Sequence, residues 1–268
     1  MLVFPNAKIN LGLYITEKRN DGYHNLETCF YPVMWQDALE IIESEAFVFS
    51  STGLEIAGNS ENNLCVKAYN LLKTWFNLPP VHIHLHKIIP MGAGLGGGSS
   101  DAAFVLSTLL KKFQLNIESH DLQNIASILG ADCAFFLENK ALLAFEKGDV
   151  FEHISLLLKG YHICIVHPAI HVGTAEAYAG VKPKKKDFSL VNILTKDISL
   201  WKDTLVNDFE ASIFKLHPVL EQIKNQFYQN GALYASMSGS GSAIFGIFND
   251  KVEIEFPAHY TVYWGVLP

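Results

Sequence analysis

The sequence is short of cysteine. Cys29, Cys65, Cys133 and Cys164 stand far apart, and no C-x-x-C pair occurs. That spacing supplies neither a zinc knuckle nor a disulfide framework and suits buried, reduced thiols. The chain also lacks positive charge. Its 20 lysines and arginines face 27 aspartates and glutamates, for a net charge of -7. A general nucleic-acid binder would carry a basic face, whereas a local pocket can still be positive enough for an anionic substrate. No apolar stretch approaches the length that spans a bilayer. The start, Met-Leu-Val-Phe-Pro-Asn, has no basic n-region and no apolar h-region, so no signal peptide and a cytoplasmic location are expected. Internal repeats and low-complexity linkers are missing as well. What remains is ample core material: 49% of 268 residues are hydrophobic and 18% charged, enough for one large or two moderate domains.

Periodicity sketches the elements. Ile9, Leu11, Leu13 and Ile15 alternate with Asn10, Gly12 and Tyr14, which predicts a half-buried strand ending near a turn at Asp21-Gly22. Strand-like runs continue to about Ile56. Leu64, Ala68, Leu71, Leu72 and Trp75 recur at helical spacing, and Val81, Ile83, Leu85 and Ile89 read as a further strand. Helices are predicted over 99–113, from Ser119 to a glycine-dependent stop at Gly130, and around 174–178, 187–196, 199–215 and 218–229. Strands are expected at 161–167, on both sides of Ser238–Gly241, and at 260–266. Strands cluster ahead of helices, which favours α+β over a doubly wound sheet. A domain boundary is expected near residues 151–159, dividing the chain into 1–155 and 156–268.

The most informative stretch is Pro90-Met91-Gly92-Ala93-Gly94-Leu95-Gly96-Gly97-Gly98-Ser99-Ser100. Its five glycines let backbone approach a ligand closely. The helix that follows offers unpaired amides at its positive end, so the pair makes a phosphate cradle. Gly92, Gly94 and Gly97 also satisfy G-x-G-x-x-G, with Glu118 about 20 residues on. That acid falls between two helix signals rather than at a strand end, so the dinucleotide reading fails. A P-loop fails too, because serine stands where its lysine belongs.

The loop resembles the second motif of the galactokinase, homoserine kinase, mevalonate kinase and phosphomevalonate kinase (GHMP) superfamily. Its G-L-G-G-G-S-S-D-A-A form is that of the 4-diphosphocytidyl-2-C-methyl-D-erythritol kinases. Asn6-Ala7-Lys8-Ile9-Asn10-Leu11 resembles the first motif of that family, and Arg19 to His24 its R-x-D-G-Y-H signature. Gly130-Ala131-Asp132 matches its G-A-D segment, and Ser238–Gly241 the third motif. Asn6 replaces a usual proline, and Cys133-Ala134 replaces a usual Val-Pro.

The resemblance implies an N-terminal ribosomal-protein-S5-like domain and a C-terminal ferredoxin-like α/β sandwich, with ligands between them. It implies ATP with its Mg2+ and no protein-held metal. Asp132 would be the base for the acceptor hydroxyl, Lys8 its charged partner, and residues 90–100 the ATP cradle. Asn10, Tyr23, His24 and Tyr178 would serve the acceptor, a small molecule with a cytidine diphosphate group. No nucleic-acid or membrane partner follows from it, and oligomeric state is left open. A related kinase of homoserine or mevalonate type would lack Asp-Gly-Tyr-His, and a non-catalytic relative would not need Lys8 and Asp132. His82, His84 and His86 read as a solvated sheet face, and Lys182, Lys184, Lys185 and Lys186 as a solvated loop.

Overall fold

The computed structural model describes residues 1–186 and 188–268. Asp187, expected to open a helix, lies outside them. The chain divides into two compact units, one comprising Met1–Ala7, Trp35–Met91 and Gly96–Lys140, the other Lys8–Met34, Gly92–Leu95 and Ala141–Pro268.

The first unit holds a four-stranded sheet in the order β1 (Leu2–Val3), β4 (Ala38–Glu43), β6 (Val81–Lys87), β5 (Val48–Gly53). β4 runs antiparallel to β6 and β5 parallel to it, so the strand feeding the glycine loop is not flanked by parallel neighbours as a dinucleotide fold requires. Helices α1 (Leu64–Trp75), α2 (Gly97–Lys112), α3 (Ser119–Leu129) and α4 (Cys133–Glu138) complete the unit. Asn63 caps α1 by accepting the Cys65 amide at 2.8 Å. α3 ends at Gly130 as expected, but the position does not demand a glycine. Gly130 has φ 169°, extended backbone open to any residue, so glycine is not needed there for its conformation.

On β6, Val81, Ile83, Leu85 and Lys87 are buried, while His82, His84 and His86 occupy the other face. The histidines interleave with hydroxyls. Ser50 Oγ lies 2.7 Å from His82 Nε2 and 2.8 Å from His84 Nδ1. Thr52 Oγ1 lies 3.1 Å from His84 Nε2 and 2.9 Å from His86 Nδ1. The row is therefore a cross-strand ladder of side chains. Among the described residues, no group of three His, Cys, Asp or Glu could hold a metal ion.

The second unit contains two sheets. One has the order β2 (Asn6–Lys18), β3 (His24–Gln36), β7 (Leu142–Glu146), β8 (Val150–His153), its first two strands running on into the other unit. The second has the order β10 (Tyr234–Met237), β11 (Ile244–Phe248), β9 (His162–His167), β12 (Thr261–Val266), antiparallel throughout. Helices α5 (Thr174–Ala179), α6 (Leu190–Leu194), α7 (Glu210–Leu216) and α8 (Pro218–Gln229) accompany them. Leu13 and Ile15 of β2 share a core with Val166, Phe209, Ile223, Phe227 and Met237. Clustered, mainly antiparallel strands with separate helices are the α+β arrangement.

Three expectations change here. β2 is buried on both faces: Lys8, Asn10 and Tyr14 are as hidden as Ile9 and Leu11. The helix over 199–215 does not form. A 3-10 turn at Ile198–Leu200 and the short α7 replace it, and the chain between them runs through turns with a single bridge from Asn207 to Leu13 of β2. The basic run is not wholly solvated either, since Lys186 pairs with Asp208 at 2.7 Å and lies over the Tyr14 ring.

Candidate active site

In the second unit, β2 carries a buried lysine. A buried ammonium is costly unless bonded, and Lys8 Nζ donates to Asn10 Oδ1 at 2.6 Å, two residues along the same face. Asn10 Nδ2 donates in turn to Thr28 Oγ1 at 3.0 Å. The ammonium also stands 4.8 Å from the centre of the Phe30 ring. The Lys8 amide donates to Leu95 O at 2.9 Å, which ties this strand to the middle of the glycine loop.

Glycine is required at Gly94. Its φ is +77°, and a Cβ there would stand 1.9 Å from Ser238 O. The two glycine-rich segments, distant in sequence, are thus in backbone contact. Ser238 Oγ donates to Gly94 O at 2.8 Å, and the Ala243 amide to Ala93 O at 3.1 Å. Gly239 closes the cluster, since a Cβ on it would meet Gly94 backbone at 3.2 Å and Asn10 Oδ1 at 3.4 Å. Lys8, Asn10, Gly92–Leu95 and Ser238–Gly241 are therefore brought together.

In the first unit, the rest of the loop becomes the start of α2. Gly96 occupies the N-cap in a left-handed conformation and supplies no side-chain cap. Gly97, Gly98, Ser99 and Ser100 form the first turn, whose leading amides have no intrahelical acceptor and carry the positive end of the helix. Ser100 Oγ is buried with no hydrogen-bond partner. Pro90 is buried ahead of the loop and Met91 is exposed. Gly130 and Cys133 abut this turn: a Cβ on Gly130 would lie 3.7 Å from Ser99 Oγ, and the Cys133 thiol interacts with Ser99. Burial pushes that thiol up to about 12, so it is inert. Asp132 stands at the N-cap of α4, yet its carboxylate makes no capping bond there. A merely capping role is thereby removed.

Beneath α2 lies a cluster that sequence reasoning missed. Lys87 Nζ donates to Asp37, and to Asp101 at 3.0 Å, all three being nearly inaccessible. Asp37 also accepts the amides of Ile88 and Ile89 at 2.5 and 2.9 Å. Two carboxylates share one ammonium. Burial opposes the charge on Lys87, but the two carboxylates overcome it and raise its pKa. Asp101 has the fewer donors, with Oδ1 unpartnered, and burial raises it to about 7. The signal was available: continuing the inward alternation of Val81, Ile83 and Leu85 places Lys87 in the core.

The sign of the resulting pH dependence follows from linkage. Asp101 holds its proton more tightly when folded than at its ordinary 3.8. Its contribution to stability is therefore complete below about pH 4 and is lost as pH rises towards 7. Asp101→Asn should flatten that fall, which thermal unfolding at pH 5 and pH 8 would show as a smaller difference between the two than in the parent.

The acceptor candidates separate. The turn at Asp21-Gly22 is closed by Asp21 Oδ1, which accepts the Tyr23 amide at 3.1 Å. Tyr23 is 64% exposed, with the Lys147 ammonium 5.5 Å from its ring centre. His24 instead stacks on Tyr178, with centroids 4.9 Å apart and planes at 24°, and Tyr178 packs edge-on against Phe209.

Comparison with known proteins identifies the family. Residues 63–140 match the GHMP kinases N terminal domain, and residues 189–256 the GHMP kinases C terminal domain. The 4-diphosphocytidyl-2-C-methyl-D-erythritol kinase of Cytophaga hutchinsonii is 54% identical over 254 residues, covering 94% of each chain. The enzyme of that name from Bacteroides fragilis is 53% identical, covering 95% of this chain and 94% of its own. A crystal structure of 4-(cytidine 5'-diphospho)-2C-methyl-D-erythritol kinase superposes with a TM-score of 0.80 at 32% identity, covering 92% of this chain and 90% of the other. Both expected domain types are thus accounted for, and the chain belongs to the 4-diphosphocytidyl-2-C-methyl-D-erythritol kinase family, the ATP-dependent GHMP kinases.

Proposed function

We propose that the chain transfers the γ-phosphoryl group of ATP to the 2-hydroxyl of 4-diphosphocytidyl-2-C-methyl-D-erythritol, on the non-mevalonate route to isoprenoid precursors. The observation that carries this reading is the 54% identity, over nearly the whole chain, to a kinase of that name. A cytoplasmic enzyme with a small-molecule acceptor, and without nucleic-acid or membrane partners, fits the acidic charge; among the described residues no helix is long and apolar enough to cross a membrane. The two family matches fall on either side of β8, which supports a domain boundary near residue 155.

Phosphoryl transfer depends on positioning and charge neutralisation. In this proposal the amides around Gly94 and of the first turn of α2 hold the phosphates, with Pro90 to Ser100 forming the cradle. Lys8 offsets charge on the transferred group. Asp132 orients the acceptor hydroxyl and takes its proton. Mg2+ arrives on the nucleotide, as is usual where phosphates supply most of its ligands; the buried, unpartnered oxygen of Ser100 fits a minor share in holding it. Asn10 fixes the Lys8 ammonium. Tyr23, His24 and Tyr178 take the cytosine, the aromatics by stacking and the histidine by hydrogen bonding.

Loss of a stacked base costs about 1–3 kcal/mol, roughly a ten- to hundredfold change in affinity. Tyr23→Ala should therefore raise KM for the cytidine-bearing acceptor by about that factor and leave KM for ATP unchanged. Steady-state kinetics with each substrate varied in turn is the test. An unchanged acceptor KM would remove Tyr23 from the base site.

A further inference from the structure

The segment Asn207-Asp208-Phe209-Glu210 has no part in the roles above, yet its side chains bond both to β10 with its turn and to β2. Asn207 is 3% exposed and every bonding capacity of its side chain facing the turn is engaged. Nδ2 donates to Met237 O and to Gly239 O, each at 2.8 Å, and Oδ1 accepts the Phe209 amide at 3.0 Å. Glu210 grips the same strand end: its Oε1 accepts Ser236 Oγ at 2.9 Å and the Met237 amide at 2.8 Å, while Lys224 pairs with Oε2 at 2.6 Å. On its other side the segment is bonded to β2. Leu13 N donates to Val206 O, Asp208 N to Leu13 O, and Ile15 N to Asp208 Oδ2, all within 2.9 Å.

The two carbonyls held by Asn207 flank Ser238, the residue that reaches Gly94 through both its hydroxyl and its carbonyl oxygen. A glycine-rich turn has little conformational preference of its own. Its position is set by the bonds imposed from outside, and here one buried amide imposes two of them. The same segment fixes the strand that carries Lys8 and Asn10, and Gly239 approaches Asn10 Oδ1.

We propose that Asn207 is a positioning residue for phosphoryl transfer: by holding the carbonyls of Met237 and Gly239 it sets the Ser238–Gly241 turn against Gly94 and Asn10. The inference rests on the reading of that cluster as the phosphate site. It separates two roles, since a turn displaced by a fraction of an ångström alters how the phosphates sit without touching the acceptor's base.

The test is Asn207→Asp, which keeps shape and the bond from Phe209 but turns a carboxylate on two carbonyl oxygens. KM for ATP should rise at least tenfold at pH 8, with KM for the cytidine-bearing acceptor within about twofold of the parent. The defect should shrink towards pH 5.5, where the protonated carboxyl regains one donor. Asn207→Leu, which has no donor at any pH, should show the ATP defect without that recovery. If Asn207→Asp does not fold, Glu210→Gln, which weakens the hold on Met237 and keeps the packing, is read in the same assay for the same selective rise in ATP KM. A folded Asn207→Asp protein, or in its place Glu210→Gln, with the parent's ATP KM at every pH overturns the proposal. Lys8→Ala is measured alongside. If it abolishes turnover while the Asn207 variant is normal, this inference alone fails; if it is fully active, the site reading fails and this inference with it.

Discussion

Lys8→Ala and Asp132→Asn should each lower kcat by about two to four orders of magnitude while ATP still binds. Lys8 contributes a full positive charge in a site from which water is excluded: it is 3% exposed, donates to the Asn10 oxygen and lies over the Phe30 ring. Charge placed where it accumulates in the transition state acts on turnover more than on ground-state binding. Alanine removes the charge and leaves Asn10 Oδ1 without its ammonium donor. Asp132→Asn is the more conservative change, because the amide keeps the shape of the carboxylate. It can no longer accept a proton from the hydroxyl, and one of its two terminal atoms becomes a donor. Single-turnover kinetics together with calorimetric ATP binding separates the two quantities. A kcat near that of the parent for either variant would remove that residue from the chemistry.

Gly94→Val should abolish measurable ATP binding. Two independent costs coincide at this position. A β-branched residue at φ +77° is a genuine outlier, and its Cβ would collide with the carbonyl oxygen of Ser238 at 1.9 Å. The collision is with backbone, so it cannot be relieved by turning a side chain; the loop and the Ser238 turn have to part. Gly58 provides the comparison, because it has φ +97° with open space around its would-be Cβ. Gly58→Val therefore reports backbone strain alone, about 1–2 kcal/mol, and should leave ATP affinity intact. Calorimetry and thermal unfolding on both variants give the result, and retained ATP affinity in Gly94→Val would place the cradle elsewhere.

What could be read in advance was whatever the sequence encodes locally. The alternation of Ile9 to Ile15, the helical spacing of Leu64 to Trp75, the turn at Asp21-Gly22 and the loop leading into α2 each carry a period or a turn residue that physics ties to one conformation. What could not be read depends on partners far along the chain. The stretch from Lys202 to Phe209 looks helical by composition, but Asn207 is claimed by Leu13, Met237 and Gly239. The second face of β2 looks polar and solvated until Thr28 and Phe30 of the neighbouring strand cover it. Lys87 is the intermediate case. Its phase on β6 was visible, whereas its partners Asp37, between β3 and β4, and Asp101, on α2, lie on either side of it in sequence. For the candidate site, the residue types were legible and their grouping was not: His24 finds Tyr178, while Tyr23 stays exposed on its turn.

The acceptor decides the central claim. The purified chain is given ATP and, in separate reactions, 4-diphosphocytidyl-2-C-methyl-D-erythritol, the methylerythritol phosphate without the cytidine group, homoserine or mevalonate, and ATP consumption is followed. Efficient turnover with the first alone, and very poor turnover with the second, is the expected result. Equal use of the acceptor lacking cytidine, or efficient phosphorylation of homoserine or mevalonate, would contradict it.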